Sequence, residues 1–279
     1  MTLGDTNTNG DAAQSADVGD DDNAAAQQSP LRRAQSRLLR TWRGALDVVL
    51  PPLCLGCQTR LSDHDALCSE CWRAIDFIRP PLCDRLGIPM PYDIGGPMIS
   101  AAAAAHPPVF DHARAVGRYD GLLRQLIHDF KFRDSHNARR LFGRWLCQAD
   151  PQMVSEADAI VPVPLARLRL LARRFNQAQM LAAEISHIAR KPLLPLALKR
   201  TRATPHQIGL SRPQRERNVA GAFAVSPGAV PQIAGKSILL VDDVMTTGAT
   251  ASAAAKALKA AGAGRVDVLV LAMVTDTLA

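Results

Sequence analysis

The stretch SILLVDDVMTTG, from Ser237 to Gly248, holds a strand, two adjacent carboxylates and a glycine turn in one run. Its apolar part ends at Asp242 and Asp243, and the turn Thr246-Thr247-Gly248 leads into an alanine-rich helix from Ala249. Backbone N–H groups at such a turn carry a positive partial charge that suits a phosphate. The carboxylates suit the hydroxyls of a sugar, or a metal. The order of these features predicts a sugar-phosphate site, and the alternative is a βα turn with a solvated acidic pair.

The surrounding sequence alternates between strand and helix patterns. Strands are predicted at Ala115–Tyr119, Ala159–Val163, Gly221–Val225, Ser237–Val241 and Val266–Ala272, and helices at Gly121–Phe132, Asn137–Gln148, Asn176–Ala189 and Ala249–Ala261. Because the strands are nearly continuous in Val, Ile and Leu, they predict an α/β fold with a parallel sheet covered on both faces. No internal repeat is evident.

Four of the six cysteines form two pairs, Cys54-x-x-Cys57 and Cys68-x-x-Cys71. Two such pairs can hold one tetrahedral ion, with Zn²⁺ as the first choice and iron as the alternative. Four protein ligands leave no open position, so the predicted role is structural. A third knuckle begins at Cys83, but its second cysteine has become Leu86, and a second metal site is not expected.

Charge is distributed unevenly along the 279 residues, which carry a net charge of +7. The first thirty residues lack Lys and Arg and contain six aspartates, Asp5, Asp11, Asp17, Asp20, Asp21 and Asp22. Such a stretch predicts a disordered acidic tail. The remaining body is therefore more basic, which favours anionic partners such as phosphate compounds or nucleic acid. The sequence shows neither a signal peptide nor a membrane-spanning run, so we expect a cytoplasmic protein whose thiols stay reduced.

Composition divides the chain into four predicted parts. These are a disordered tail (1–29), an amphipathic helix with a four-cysteine zinc module (30–90), a linker rich in Pro, Gly and Ala (91–109) and the α/β domain (110–279). The helix is predicted over Pro30–Leu50 from the spacing of its apolar residues.

Three further segments are candidates for the site. Four arginines follow the predicted strand Ala159–Val163, which Pro164 terminates, namely Arg167, Arg169, Arg173 and Arg174. Ligands of open α/β sheets bind beyond the carboxyl ends of the strands, so these arginines can clamp an anionic group, and the alternative is a solvated helix start. The basic segment 200–218 is interpreted as a lid, a mobile surface loop or a nucleic-acid contact. In the predicted helix Gly121–Phe132, His128 and Lys131 can approach a substrate, although packing on the sheet is the simpler interpretation.

The stretch from Ser237 resembles the phosphoribosyl-pyrophosphate (PRPP) motif of the type I phosphoribosyltransferases. The resemblance implies that Asp242 and Asp243 hold the ribose hydroxyls. It also implies that a phosphate-binding set, Thr246, Thr247, Gly248 and Thr250, holds the 5-phosphate. In that case Mg²⁺ bridges pyrophosphate and ribose oxygens, and the four arginines neutralise the departing pyrophosphate.

Taken together, the motifs are similar to those of the ComF family, whose members include proteins linked to DNA uptake and use. They are the cysteine pairs, YDGLLRQLIH from Tyr119, VPVP from Val161, RFNQA from Arg174, RNVAGAF from Arg217 and the Asp-Asp-Thr-Thr-Gly loop. The family commonly has Arg-Gly before Phe-Asn-Gln, where this chain has Arg173-Arg174.

Two functions follow as hypotheses. The first is a phosphoribosyltransferase that binds PRPP with Mg²⁺ and acts in DNA utilisation or nucleotide metabolism. The second is a non-catalytic protein that binds a nucleotide or single-stranded DNA, or contacts DNA-uptake proteins. Aromatic residues make up only 4% of the chain, which disfavours a single-strand platform of stacked rings.

Overall fold

The computed structural model describes residues 51–132, 137–165, 175–202 and 211–278. The predicted tail and the predicted helix Pro30–Leu50 therefore lie outside the described residues. From Pro52 onward the chain forms one compact unit that contains both the cysteine pairs and the sheet. The boundary predicted at residues 91–109 remains a prediction, and within it a short helix forms at Ala101–Ala105.

A four-stranded parallel sheet forms the centre of this unit, in the order β1-β6-β5-β2. Its strands are β1 (Ala113–Arg118), β2 (Ala159–Pro162), β5 (Ser237–Met245) and β6 (Arg265–Met273). All three neighbouring pairs are parallel, as the sequence predicts. The predicted strand at 237–241 is longer than expected, because its pairing with β6 continues to Met245 opposite Met273.

Helices cover both faces of the sheet. They are α1 (Ser69–Arg73), α2 (Ala101–Ala105), α3 (Gly121–Phe132), α4 (Asn137–Ala149), α5 (Pro151–Glu156), α6 (Gln177–Ala189), α7 (Arg212–Val219), α8 (Val230–Ile233) and α9 (Ala249–Ala260). Single turns of 3-10 helix lie at Pro227–Ala229 and Thr275–Thr277.

Alternate residues of β5 pack into two separate cores. Ile238 and Leu240 are buried with Leu258 of α9 on one face. Leu239 and Val241 are buried on the other face with α3, α4 and α6. Successive strand residues point to opposite faces, so burial on both faces explains the unbroken apolar run of β5.

A separate two-stranded antiparallel sheet joins β3 (Leu198–Arg200) and β4 (Phe223–Val225). The strand predicted at Gly221–Val225 therefore does not join the parallel sheet, and that expectation is wrong. Part of the segment interpreted as a lid is also helical, since α7 begins after Ser211 in a capping box with Gln214.

The residues before β1 form two small knuckle units, and the segment between them and the second unit make backbone hydrogen bonds to the edge of this strand. The first knuckle unit comprises residues 52–74 and the second comprises residues 81–105. Between them, the Ile78 N–H donates to the carbonyl of Val116 at 3.0 Å. The two units share one backbone pattern, with matching antiparallel bridges at Leu53–Arg60 and Leu82–Pro89. The expectation that the chain has no internal repeat is therefore wrong.

Candidate functional site

The two carboxylates lie near the end of β5, inside the strand rather than after it. Asp242 is opposite Val270 of β6, and the N–H of Asp243 donates to the Oδ1 of Asp242 at 2.8 Å. Because side chains alternate along a strand, Asp243 lies on the face that α3 covers. There its Oδ2 accepts a charged hydrogen bond from the Nζ of Lys131 at 2.8 Å. Both side chains of this ion pair are largely buried.

Asp242 has an unusual proton affinity. Burial, with the neighbouring carboxylate of Asp243 as the second cause, raises the pKa of Asp242 to about 7. A carboxyl group with this pKa changes its charge close to neutral pH, and this property often marks a functional site.

The turn after β5 forms the start of helix α9. Gly248 has a φ of 73° and precedes the first helical residue, a left-handed conformation that glycine adopts without strain. No side chain caps this helix start, and its first turn contains no acidic residue. The N–H groups of the first turn lack intrahelical partners, and together with the helix dipole they favour an anion. The end of β5 thus places two carboxylates beside an anion-binding helix start.

A cavity of about 360 Å³ lies over this end of the sheet. The predicted residues Asp242, Asp243, Thr246, Gly248 and Thr250 line it together. Thr247 is not among its lining residues. Its hydroxyl is buried without a hydrogen-bond partner in the described part of the chain, and the residue borders a second, largely apolar cavity of about 710 Å³.

Three cationic side chains from distant parts of the chain also line the first cavity. They are Lys131 at the end of α3, Arg200 at the end of β3 and Arg215 in α7. The guanidinium of Arg200 lies 5.3 Å from the ring centre of Phe223, which holds it against β4. Sequence reasoning considered Lys131 as a residue that approaches a substrate but did not include any of the three in the predicted site. The sequence signal that could have identified Arg200 and Arg215 was the basic composition of segment 200–218.

Asn176 fixes the edge of the cavity next to β2. Its Nδ2 donates to the carbonyl of Val163 at 3.1 Å, and its Oδ1 accepts from the N–H of Ala178 at 3.2 Å. One side chain therefore joins the end of β2 to the start of α6. The predicted pyrophosphate clamp, Arg167, Arg169, Arg173 and Arg174, lies outside the described residues.

His128 lies away from the carboxylates. Its side chain is 67% exposed, and it lines a separate surface groove with Tyr119 and Arg124. Of the two residues considered on α3, the structure places Lys131 in the first cavity and His128 in this groove.

The cysteine pairs form a second candidate site. The sulfur atoms of Cys54, Cys57, Cys68 and Cys71 all lie within 4.8 Å of one another, and those of Cys57 and Cys68 are 3.6 Å apart. A tetrahedral zinc site with metal–sulfur distances of about 2.3 Å has sulfur–sulfur edges of about 3.8 Å. The four cysteines therefore fit a structural Zn²⁺ with a closed shell.

Backbone and side-chain groups orient the cysteine sulfurs. The N–H of Cys68 donates to the Sγ of Cys54 at 3.2 Å. Hydrogen bonds from the hydroxyl and backbone of Thr59 lower the pKa of Cys57 to about 6, whereas burial raises the pKa of Cys71. A bound metal requires deprotonated thiolates, so binding of Zn²⁺ releases protons from this site.

Comparison with known proteins matches both sites to families. A family described as "Double zinc ribbon domain" matches residues 45–103, and one described as "Phosphoribosyl transferase domain" matches residues 172–277. Competence protein F of Haemophilus influenzae is 31% identical over 78% of this chain and 96% of its own length. The DNA utilization protein YhgH of Escherichia coli strain K12 is 32% identical over 79% of this chain and 96% of its own length. Across the described part of the chain, none of the helices is both long and apolar enough to span a bilayer.

Proposed function

Because the chain belongs to the ComF family, in which a zinc-ribbon module precedes a phosphoribosyltransferase domain, we propose that it binds PRPP with Mg²⁺ at the end of β5 and acts as a phosphoribosyltransferase. One observation carries this proposal. The uncapped start of α9 and the carboxylates of Asp242 and Asp243 border the same cavity. These are the partners that the phosphate and the hydroxyls of a ribose 5-phosphate require.

The 5-phosphate binds at the start of α9. Its oxygens accept from the N–H groups of the first helical turn and from the hydroxyls of Thr246 and Thr250, which line the cavity. Thr247 contributes its backbone rather than its buried hydroxyl.

The ribose hydroxyls donate to Asp242 and Asp243. An ionised carboxylate accepts hydrogen bonds more strongly than a neutral carboxyl group does, so binding favours the charged form of Asp242. Since the pKa of Asp242 is raised to about 7 without ligand, the affinity for PRPP increases as the pH rises through 7.

The same carboxylates fit Mg²⁺, which prefers hard oxygen ligands and retains several of its waters. When bound, this ion would neutralise charge on the pyrophosphate. Asp242 and Asp243 would hold it, and Lys131 balances the charge of Asp243 while the cavity is free of ligand.

Transfer proceeds by displacement at the anomeric carbon. The lone pair of the acceptor forms the new bond to the anomeric carbon while the bond from this carbon to pyrophosphate breaks. Pyrophosphate leaves with the electron pair of the broken bond. Lys131, Arg200 and Arg215 border the cavity and stabilise the departing anion. The arginines between residues 167 and 174 remain a predicted addition to this cationic set. Catalysis depends on positioning and electrostatics and needs no covalent intermediate.

Calorimetric titration with PRPP and Mg²⁺ at pH 8 tests the proposal. We expect wild-type protein to bind, and D242N/D243N to lose about 100-fold or more in affinity, because two charge-assisted hydrogen bonds are removed. The exposed carboxylate of Asp93 in the second knuckle unit supplies the control D93N, which should bind as wild type does. Equal binding by wild type and D242N/D243N contradicts the proposal.

A matched pair of threonine variants tests which hydroxyl contacts the phosphate. T246V should weaken PRPP binding about tenfold, because it removes one hydrogen bond to a charged group. T247V should leave binding unchanged, since that hydroxyl lies outside the cavity. If T247V weakens PRPP binding and T246V does not, the hydroxyl that contacts the phosphate is that of Thr247. Release of pyrophosphate on incubation with PRPP and cell extract then distinguishes turnover from binding alone.

A binding role in DNA utilisation is the second candidate, favoured by the names of the relatives and the net charge of +7. Contacts between lysine or arginine and phosphates release counterions, so the affinity for single-stranded DNA should fall steeply between about 50 and 200 mM salt, by about 300-fold for roughly six contacts. A flat salt dependence would contradict this role. The cytoplasmic location stays a prediction.

A further inference from the structure

The first knuckle unit has a well-defined pattern of hydrogen bonds around its first cysteine. The N–H of Cys54 donates to Thr59 O at 2.8 Å, and the N–H of Gln58 donates to Cys54 O at 3.0 Å. Fourteen residues after Cys54 the chain comes back to this cysteine, where the N–H of Cys68 donates to the Sγ of Cys54 at 3.2 Å. Cys68 then caps helix α1, because its Sγ accepts from the N–H of Cys71 at 3.4 Å.

The second knuckle unit repeats this pattern, first with an offset of 29 residues between Cys54 and Cys83. The N–H of Cys83 donates to Ile88 O at 2.8 Å, and the N–H of Gly87 donates to Cys83 O at 2.8 Å. Gln58 and Gly87 hold equivalent positions and both have positive φ angles, 63° and 68°. The two units thus share the turn of the knuckle in backbone conformation as well as in hydrogen bonding.

The repeat continues with an offset of 32 residues, from Cys68 to Ser100, where the chain returns. The N–H of Ser100 donates to the Sγ of Cys83 at 3.3 Å. Ser100 then caps helix α2, because its hydroxyl accepts from the N–H of Ala103 at 3.2 Å. A serine hydroxyl therefore makes the capping contact that the sulfur of Cys68 makes in the first unit.

These offsets identify the four ligand positions of the second unit. The positions of Cys54, Cys57, Cys68 and Cys71 correspond to Cys83, Leu86, Ser100 and Ala103, respectively. One thiol, one weak hydroxyl donor and two hydrocarbon side chains cannot complete a tetrahedral shell. The match to a double zinc ribbon family suggests two metal ions, but the second set of residues does not fit one.

Apolar side chains occupy the place of the second ion. Cys83 and Leu86 are 0% and 3% exposed, and Ile88, Met98 and Ala103 are 4%, 6% and 3% exposed. Cys83, Leu86, Ile88 and Ala103 belong to the same core as Ile238 and Leu240 of the sheet. We define the apolar plug as Leu86, Ile88, Met98 and Ala103.

We infer that the second knuckle unit is a zinc ribbon that has lost its metal and folds around the apolar plug, so that each chain binds one Zn²⁺ rather than two. Burial of apolar surface stabilises this unit independently of metal and pH, whereas thiolate ligands depend on both. Zinc removal should therefore release the first unit and leave the second in place on β1.

The contact with β1 supports this separation. The N–H of Ala113 donates to Arg85 O at 2.9 Å within the second unit's knuckle. A Cβ atom added at Gly87 would lie 2.2 Å from Ala113 O, so this turn approaches the strand more closely than another residue would allow. The second unit is built into the edge of the sheet through groups that need no ion.

Metal content measured by mass spectrometry on the full chain tests the inference. We expect one zinc per chain in wild type and one in C83S. The triple variant L86C/S100C/A103C, which restores the three missing ligands beside Cys83, should bind two. When Zn²⁺ is replaced by Co²⁺, the thiolate–metal absorption per chain should be twice as strong in the triple variant as in wild type. Two zinc ions in wild type, or loss of zinc in C83S, would overturn the inference, as would a folded triple variant that still binds one ion.

Hydrogen exchange on wild-type protein provides a second test, which does not depend on folding of the triple variant. After chelation with EDTA, peptides that cover 53–61 should lose protection, and peptides that cover 82–90 should keep nearly all of theirs on the same timescale. Equal loss in both peptides would show that the second unit depends on metal and would refute the inference.

Discussion

The first knuckle unit and the end of β5 both gather groups of like charge, but they balance this charge in different ways. Four thiols meet within 4.8 Å in the knuckle unit, where one divalent ion can satisfy all of them in a closed shell. Asp242 and Asp243 share the end of β5, where Lys131 balances one carboxylate and a proton balances the other near neutral pH.

If the proposed function holds, this difference separates a site that serves stability from a site that binds a ligand. A buried charge is costly unless it is paired, so the closed metal shell makes the knuckle unit rigid. At the end of β5, a ligand of the proposed kind would bring cations and hydroxyl donors that replace the proton on Asp242. Changes in the knuckle unit should therefore affect folding, and changes at the end of β5 should affect binding more than folding.

The largest expected effect is on stability in C71S, which removes one of the four sulfur ligands. Structural zinc contributes roughly 10–16 kcal/mol of apparent binding free energy in zinc-finger peptides, so even partial loss costs several kcal/mol. At about 2–4 °C per kcal/mol for a chain of this size, the melting temperature should fall by about 10 °C or more. Thermal unfolding and zinc content of the same samples measure this.

Cys147 supplies the matched control, because it is a half-buried cysteine of α4 outside the metal cluster. C147S should retain its zinc and most of its stability. If C71S loses its zinc and still melts like C147S, the knuckle unit does not depend on its metal and the comparison fails.

A smaller effect is expected in K131M, which removes the cation that balances Asp243. The side chains of Lys131 and Asp243 are 14% and 15% exposed, so the carboxylate is left largely buried without its partner. Breaking a fully buried pair costs about 3–5 kcal/mol, and we expect roughly 2 kcal/mol here because both groups keep some contact with water. Denaturant unfolding at pH 8 measures this change.

A double-mutant cycle checks that the cause is the unpaired carboxylate. K131M/D243N should recover most of the lost stability, because it removes both charges. K131R should lose less than K131M, since it keeps a cation. Additive losses in K131M and D243N would show that the pair contributes nothing beyond its separate members.

Local patterns in the sequence predicted the elements that make up the centre of the fold. Helix Gly121–Phe132 was predicted with the bounds that the structure has, and β5, β6 and α9 differ only at their ends. These elements have long apolar runs or strong helical periodicity, so tertiary contacts do not override the local signal. The four zinc ligands were predicted from their spacing, which is equally local.

Features that depend on contacts between distant residues were missed. Lys131 lies 112 positions before Asp243, and nothing near Lys131 in sequence indicates its partner. Helix α7 is polar and basic along its length, so no apolar stripe marks it. The sequence showed the start of the second knuckle unit at Cys83 and Leu86, but the rest of the repeat was missed because Ser100 and Ala103 stand where the first unit has its second pair of cysteines.

The last expected effect concerns the pH dependence of stability in D242N. In the folded protein the pKa of Asp242 is raised to about 7, above the value of roughly 3.9 for an unfolded chain. The folded state therefore binds this proton more tightly. The resulting stabilisation is fully present below about pH 4 and is lost as the pH rises through 7. Asparagine resembles the neutral carboxyl group and does not ionise, so D242N should equal wild type near pH 4 and should become increasingly more stable than wild type as the pH rises to about 8.5. Paired denaturant curves at the two pH values measure the difference, and D93N corrects for loss of a carboxylate elsewhere. A gain that is the same at both pH values would show that the end of β5 tolerates an ionised Asp242 at no cost, and the contrast with the knuckle unit would then rest on Lys131 alone.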